Sequence, residues 1–182
     1  LLLFPGAGSS ADHPSLVAIE RAVAPRRVAR ADFPYRRAGR KAPDRPPVLL
    51  AAVREELAGF GAAPVVLGGR SMGGRMCSMV VAGVDGDPPP NAAGLILISY
   101  PLHPPGRPDR LRVEHLPAIR VPSLFVHGTR DPFASPDELA RWTATIPGPV
   151  SHVWIDGGRH DLAGADARIA AAVAEWLVTI GV

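Results

Sequence analysis

The chain alternates between short apolar runs and longer amphipathic stretches. Leu1–Phe4, Pro64–Leu67, Gly94–Ser99 and Ser123–His127 are mostly unbroken apolar runs, the pattern of strands buried on both faces of a sheet. Val150–Ile155 reads as a last strand, and Val28–Phe33 as a strand interrupted by arginine. Between them lie helical patterns. One runs through Ser15–Ile19, with Ser10 or Asp12 as its cap, Pro14 in its first turn and Pro25 beyond its end. Val48–Phe60 places Leu49, Val53, Leu57 and Phe60 on one face, with Gly59 and Gly61 as its stop. Met72–Ala82 is a third helix. A fourth begins at Ser135-Pro136-Asp137-Glu138, a capping-box sequence, with Leu139, Trp142 and Ile146 on its apolar face. Asp166–Ile180 closes the chain with a stripe of Ile169, Val173, Trp176, Leu177 and Ile180. Pro34–Pro46, Asp85–Asn91 and Tyr100–Arg112 read as proline-rich connections, and Leu116–Ile119 as a single helical turn.

Strands that alternate with helices predict an α/β fold, with a mainly parallel sheet covered on both faces. Right-handed crossovers then bring the C-terminal ends of the strands to one edge, where sites form in such sheets. No repeat or linker divides the 182 residues, so the expectation is one domain over 1–182. The connection Tyr100–Arg112 is too short for a lid domain.

Composition narrows the classes. With 47% hydrophobic and 20% charged residues, the chain has what a soluble globular core needs. The net charge of +3 is carried almost wholly by arginine interspersed with acids, so the basic stretch Arg26–Lys41 reads as a solvated face and not as a nucleic-acid surface. No apolar run reaches membrane-spanning length. Cys77 stands alone, which rules out an internal disulfide and predicts a small buried hydrophobe. The six histidines show no metal-binding spacing, and no cofactor fingerprint is present. A cytoplasmic protein is expected. The chain opens at Leu1 inside a strand pattern, which points to a truncated N-terminus, with any targeting segment upstream out of sight.

The chemistry centres on Gly69-Arg70-Ser71-Met72-Gly73, between a strand and a helix. That context is a nucleophile elbow: a sharp turn lifts a serine before a helix, and strand and helix come too close for side chains two positions either side. A glycine-rich structural turn is the plainer reading. Asp131 follows the strand ending at His127, and His160 follows the strand ending at Ile155. The order serine, acid, histidine is that of an α/β-hydrolase triad. A serine hydroxyl needs a base to take its proton, His160 supplies one, and Asp131 would orient the imidazole. The Met72 N–H, at a helix start, and the Ala7 N–H, in the loop after the first strand, are the candidate oxyanion donors. Arg70 and Arg75 read as structural or solvated. Taken singly, Asp131 also suits a plain turn before Pro132; the joint occurrence at three strand ends favours the triad.

These residues resemble an α/β-hydrolase group that includes bacterial dienelactone-hydrolase-like proteins, testis-expressed protein thirty and the third subunit of the NSL chromatin complex. The shared blocks are Pro5-Gly6-Ala7-Gly8, Asp12-His13-Pro14, Phe33-Pro34-Tyr35, Gly39-Arg40-Lys41-Ala42-Pro43, Gly68 to Arg75, Tyr100-Pro101-Leu102-His103-Pro104-Pro105-Gly106, Gly128 to Phe133, and His160. The resemblance implies an α/β-hydrolase fold and assigns Ser71, Asp131 and His160 as the triad. Many such proteins have further strands before the Pro-Gly-Ala-Gly loop; their lack here points to a fragment or a minimal sheet. The expected function is hydrolysis of a small ester, thioester or related acyl compound. Tyr100, His103 and the arginines near Tyr35 are candidates for the mouth of the site, where they would favour an anionic substrate. The chromatin-associated members suggest the alternative, a non-catalytic scaffold or binding protein, with the Tyr100–Gly106 block as its feature.

Overall fold

The computed structural model describes all of residues 1–182. The strands are β1 (Leu2–Phe4), β2 (Ala29–Arg30), β3 (Val65–Arg70), β4 (Ala92–Ile98), β5 (Ser123–Gly128) and β6 (Val150–Ile155). The helices are α1 (Pro14–Ala22), α2 (Pro34–Arg37), α3 (Pro46–Ala58), α4 (Met72–Val81), α5 (Pro136–Thr143) and α6 (Asp166–Thr179), with one 3-10 turn at Leu116–Ala118. All six strands are parallel, in the order β2-β1-β3-β4-β5-β6. This is the α/β-hydrolase arrangement expected from the sequence.

The period-two alternation of the strands sorts the core into two faces. Leu2, Phe4, Leu67, Leu95, Leu97 and Phe125 pack on the side of α3, α4 and α5. Leu3, Val66, Ile96, Ile98, Leu124 and Val126 pack on the side of α1 and α6. The two central neighbours β1 and β3 therefore send their crossovers to opposite faces, α1 to one and α4 to the other. A crevice opens where they part.

Several local expectations change. The β2 strand has only Ala29 and Arg30, paired with Leu2 and Leu3. Arg30 leaves the edge to bond Glu20 at 2.8 Å and Asp12 at 2.9 Å, and charges of this kind shorten edge strands. The β3 strand runs past Leu67 to Arg70, because Gly68 and Gly69 continue the ladder with Ile96 and Leu97. A Cβ at Gly68 would run into the main chain of Ile96, and one at Gly69 into that of Phe4; these glycines serve strand packing, and the turn itself falls on Ser71. The α1 cap is His13, whose Nδ1 accepts from Ser15 N–H at 3.2 Å, and not Ser10 or Asp12. The 34–46 connection contains the short helix α2. The α5 capping box is present as read, with Ser135 and Glu138 bonded reciprocally. Cys77 is buried against the Gly68 carbonyl, and burial pushes its thiol well above the ordinary range.

The long excursion between β4 and β5 belongs to the α3–α5 face through Leu102, Val113, Leu116 and Ile119. A buried polar cluster ties it to α4. Ser78 donates to the Arg75 carbonyl at 2.8 Å, so its oxygen accepts from His115 Nε2–H, also at 2.8 Å. The Tyr100 hydroxyl lies 3.3 Å from the same nitrogen and donates to the Arg112 carbonyl at 3.3 Å. Burial first, and then the charge of Arg75, push His115 down to about 4. The folded protein thus excludes a proton that the unfolded chain accepts below about pH 6.5. Above that pH the group is neutral in both states and has no effect. As pH falls from there to about 4, stability should drop by up to about 3 kcal/mol. Urea midpoints measured across this window should fall in the parent and fall less in His115→Gln, which keeps a donor. The difference isolates this residue from His127 and His152, which burial also depresses; parallel curves would refute the assignment.

Candidate active site

Ser71 is the residue at which β3 becomes α4. Its φ of 46° and ψ of −114° are rare for a residue with a side chain. The strain is held by its surroundings: Ser71 N–H donates to the Ile98 carbonyl at 2.8 Å, and its own carbonyl accepts from Arg75 N–H at 3.0 Å. A Cβ on Gly73 would stand 2.5 Å from the carbonyl oxygens of both Phe4 and Pro5. The first turn of α4 is therefore pressed onto the end of β1, as the sequence requires of the second glycine.

Three loops converge on this turn. His160 Nε2 lies 2.9 Å from Ser71 Oγ, and His160 Nδ1 lies 2.8 and 3.0 Å from the two carboxylate oxygens of Asp131. A carboxylate only accepts, so Nδ1 carries the proton and Nε2 is free to accept from the serine hydroxyl. Asp131 is buried, and its Oδ1 also accepts from Phe133 N–H at 2.9 Å. The Phe133 ring stacks on His160 with centroids 3.9 Å apart and fixes the imidazole plane. Behind the carboxylate, buried His127 donates from Nε2 to the Ala134 carbonyl at 3.1 Å and stands 3.5 Å from Asp131 Oδ2.

Ala7 lies in the loop that abuts Ser71: a Cβ on Gly6 would be 3.5 Å from that of Ser71. Neither Ala7 N–H nor Met72 N–H donates to any group of the protein. For Met72 this follows from its place in the first helical turn. For Ala7 the cause is not a left-handed glycine, since neither Gly6 nor Gly8 has a positive φ. The Gly6 carbonyl is instead turned toward Ser9, whose N–H donates at 3.1 Å, and a trans peptide then aims the Ala7 N–H the opposite way. The next peptide is pinned by Tyr35, whose hydroxyl donates to the Ala7 carbonyl at 2.8 Å.

Around these groups lies a cleft of about 770 Å³, lined among others by Ala7, Ser71, Met72, Pro101, Phe133 and His160. Tyr100 and His103 do not line it. Tyr100 is buried with its hydroxyl on the Arg112 carbonyl, and His103 donates from Nδ1 to Pro104 at 2.9 Å with its Nε2 3.7 Å from Glu138. Both are held inside the excursion, so the structure does not bring them to the mouth of the cleft as the sequence suggested. Two of the arginines near Tyr35 are also engaged elsewhere, Arg37 with Glu56 at 2.8 Å and Arg40 with Asp44 at 2.7 Å. The cleft's own cations are Arg70, Arg75, Arg112 and Arg159. Tyr35 and Phe133 stood in the shared sequence blocks without a role assigned to either, and Arg112 had no signal of its own. Only the adjacency of Phe133 to Asp131-Pro132 could have pointed to one of them.

Arg70 is buried and donates to the carbonyls of Asp161 at 2.9 Å and His160 at 3.2 Å, and to Ser15 Oγ at 3.4 Å. Its burial lowers the guanidinium from its ordinary value, partly offset by Asp166, Asp161 and Asp131. It clamps the loop that carries His160. Arg70→Met should cost about 1–3 kcal/mol by leaving these carbonyls unpaired and should speed amide exchange in residues 157–163. Exchange in that loop at the parent's rate would show that the clamp is not needed.

Comparison with known proteins follows the same outline. Residues 1–173 match the family model described as alpha/beta hydrolase domain. Among solved structures, Est1E from Butyrivibrio proteoclasticus superposes with a TM-score of 0.76 at 15% identity, over 98% of this chain and 86% of that one. The type II thioesterase BorB from the borrelidin biosynthetic cluster gives a TM-score of 0.69 at 21% identity, over 97% and 91% of the two chains. The monoacylglycerol lipase of Paleococcus ferrophilus gives a TM-score of 0.71 at 15% identity, over 99% and 94%. At these identities the likeness establishes the fold. No helix is long and apolar enough to cross a membrane.

Proposed function

The chain belongs to the alpha/beta hydrolase domain family, and from that premise we propose that it is a serine hydrolase that cleaves a small ester, thioester or related acyl compound through an acyl-enzyme. The observation that carries this reading is the unbroken row from Ser71 Oγ through His160 to Asp131, at 2.9 and 2.8 Å. The esterase, thioesterase and lipase among the structural neighbours agree with acyl chemistry. The sequence blocks keep the dienelactone-hydrolase-like group as our finer placement.

In this mechanism Ser71 Oγ attacks the acyl carbonyl as His160 Nε2 takes its proton, a transfer worth typically about 10²- to 10⁴-fold in rate. Asp131 holds the imidazole in its tautomer and stabilises the imidazolium. The tetrahedral oxyanion forms against the N–H groups of Met72 and Ala7, each worth about 3–4 kcal/mol in the transition state. Collapse expels the leaving group, which takes the proton from His160 Nε2. Water then repeats the sequence on the acyl-serine, losing its proton to His160 and releasing the acid.

A fluorophosphonate probe should label the parent and leave Ser71→Ala unlabelled. His160→Gln should lower kcat on p-nitrophenyl acetate by at least about 10²-fold. Absence of labelling in a folded parent would favour the binding-protein alternative. Tyr35→Phe should lower kcat by roughly tenfold with little change in KM, because it frees the peptide that follows Ala7 and so loosens the Ala7 N–H, which binds only the oxyanion. A KM effect alone would contradict that role.

A further inference from the structure

Five of the nineteen arginines on this protein hold acids. Arg30, Arg37, Arg40, Arg54 and Arg107 each pair with a carboxylate. Arg75 and Arg112 do not, although both line the cleft beside Ser71. Neither guanidinium bonds to a group of the protein, and Arg75 Nε is buried with no partner at all. Arg75 stands one turn beyond Ser71, its N–H donating to the Ser71 carbonyl at 3.0 Å. At that spacing the two Cβ atoms are about 5–6 Å apart on one helix face. Arg112 reaches the same cleft from the excursion after β4, and both residues are half-buried.

The surrounding charges leave the pair uncompensated. Asp44 lines the cleft but is taken by Arg40 in two bonds, at 2.7 and 3.1 Å. Asp161 lies at the other end, on the loop that Arg70 holds. Glu114 is exposed, and its field acts on His115 and Tyr100 without reaching ion-pair contact with either arginine. Burial lowers Arg112 from its ordinary value, and the charge of Arg75 lowers it further. Two like charges drawn together and partly dried, with one donor facing nothing, make a site that an incoming anion completes. Each guanidinium offers a planar fork that fits a carboxylate or phosphate.

We propose that Arg75 and Arg112 form an anion subsite of the cleft, so that the acyl compound cleaved at Ser71 carries a carboxylate or phosphate a few bonds from its scissile carbonyl. The proposal deepens the serine-hydrolase reading and rests on it for the word substrate; the subsite itself can be tested without turnover.

Calorimetry on Ser71→Ala compares p-nitrophenyl glutarate with p-nitrophenyl pentanoate, which has the same acyl chain length and no second carboxylate. The glutarate ester should bind about tenfold to hundredfold more tightly. The advantage should shrink with added salt, vanish when Arg75→Met and Arg112→Met are added, and return in part with Arg75→Lys, which keeps the charge but not the fork. The salt titration needs no arginine variant and stands even where a double variant folds poorly. Competition by free glutarate and by inorganic phosphate distinguishes the two anion chemistries. Equal affinity for both esters, or an advantage that survives loss of both arginines, overturns the subsite. The ratio of kcat/KM for the two esters in the parent should follow the same pattern. Selective binding with neither ester hydrolysed would sink the hydrolase reading and leave the subsite standing; hydrolysis of both at equal rates with equal affinity would do the reverse.

Discussion

The first turn of α4 rests on bare main chain, and the remainder of the site depends on that contact. Gly73 meets the carbonyls of Phe4 and Pro5, and a Cβ on Gly74 would come within 2.8 Å of the Gly69 carbonyl. Any side chain at Gly73 would push the helix off β1. That would separate the strained serine, and the free Met72 N–H that follows it, from the loop holding the free Ala7 N–H. The contact also explains why the strain at Ser71 persists: the helix on one side and the Ile98 ladder on the other leave it no relaxed alternative.

The acid and the imidazole are held by a second device of the same kind, some distance along the sheet. A Cβ on Gly128 would fall on the main chain of Gly158, so the loops after β5 and β6 lie in backbone contact. Arg130 N–H donates to the Gly158 carbonyl at 2.9 Å, and Gly157 N–H to Thr129 Oγ1 at 2.8 Å. These bonds fix Asp131 relative to His160 before either meets the serine. Arg70 then joins the two halves, since it leaves the strand that ends in Ser71 and grips the carbonyls of His160 and Asp161. A residue read from the chain as structural or solvated is the strut between them.

What the chain revealed in advance was whatever local pattern controls. Apolar runs marked the inner strands, and Ser135 with Glu138 marked a helix start, because strand burial and capping are decided by residues within a few positions of one another. Val28–Phe33 shrank to two residues because edge pairing depends on what Arg30 finds across space, in Glu20 and Asp12. Tyr100 and His103 looked like a mouth because polar aromatic residues among prolines suggest a surface loop. They proved to be buried, since that loop folds back over α4 and needs polar partners inside. The grouping of Ser71, Asp131 and His160 was legible from chain order alone. Tyr35 on Ala7, Phe133 on His160 and the unpaired state of Arg75 were not, because each depends on a contact or an absence that only the assembled molecule defines.

The grip of Tyr35 on Ala7 has one further implication. Tyr35 sits just beyond β2, the thinnest rung of the sheet, joined to β1 over Ala29 and Arg30 alone. Fraying at that margin would loosen the Ala7 peptide while the interior around Leu95 and Phe125 stayed intact. On warming, competence at Ser71 should therefore fade some degrees before the bulk of the molecule comes apart, and the gap between the two temperatures would gauge how firmly the margin is sewn.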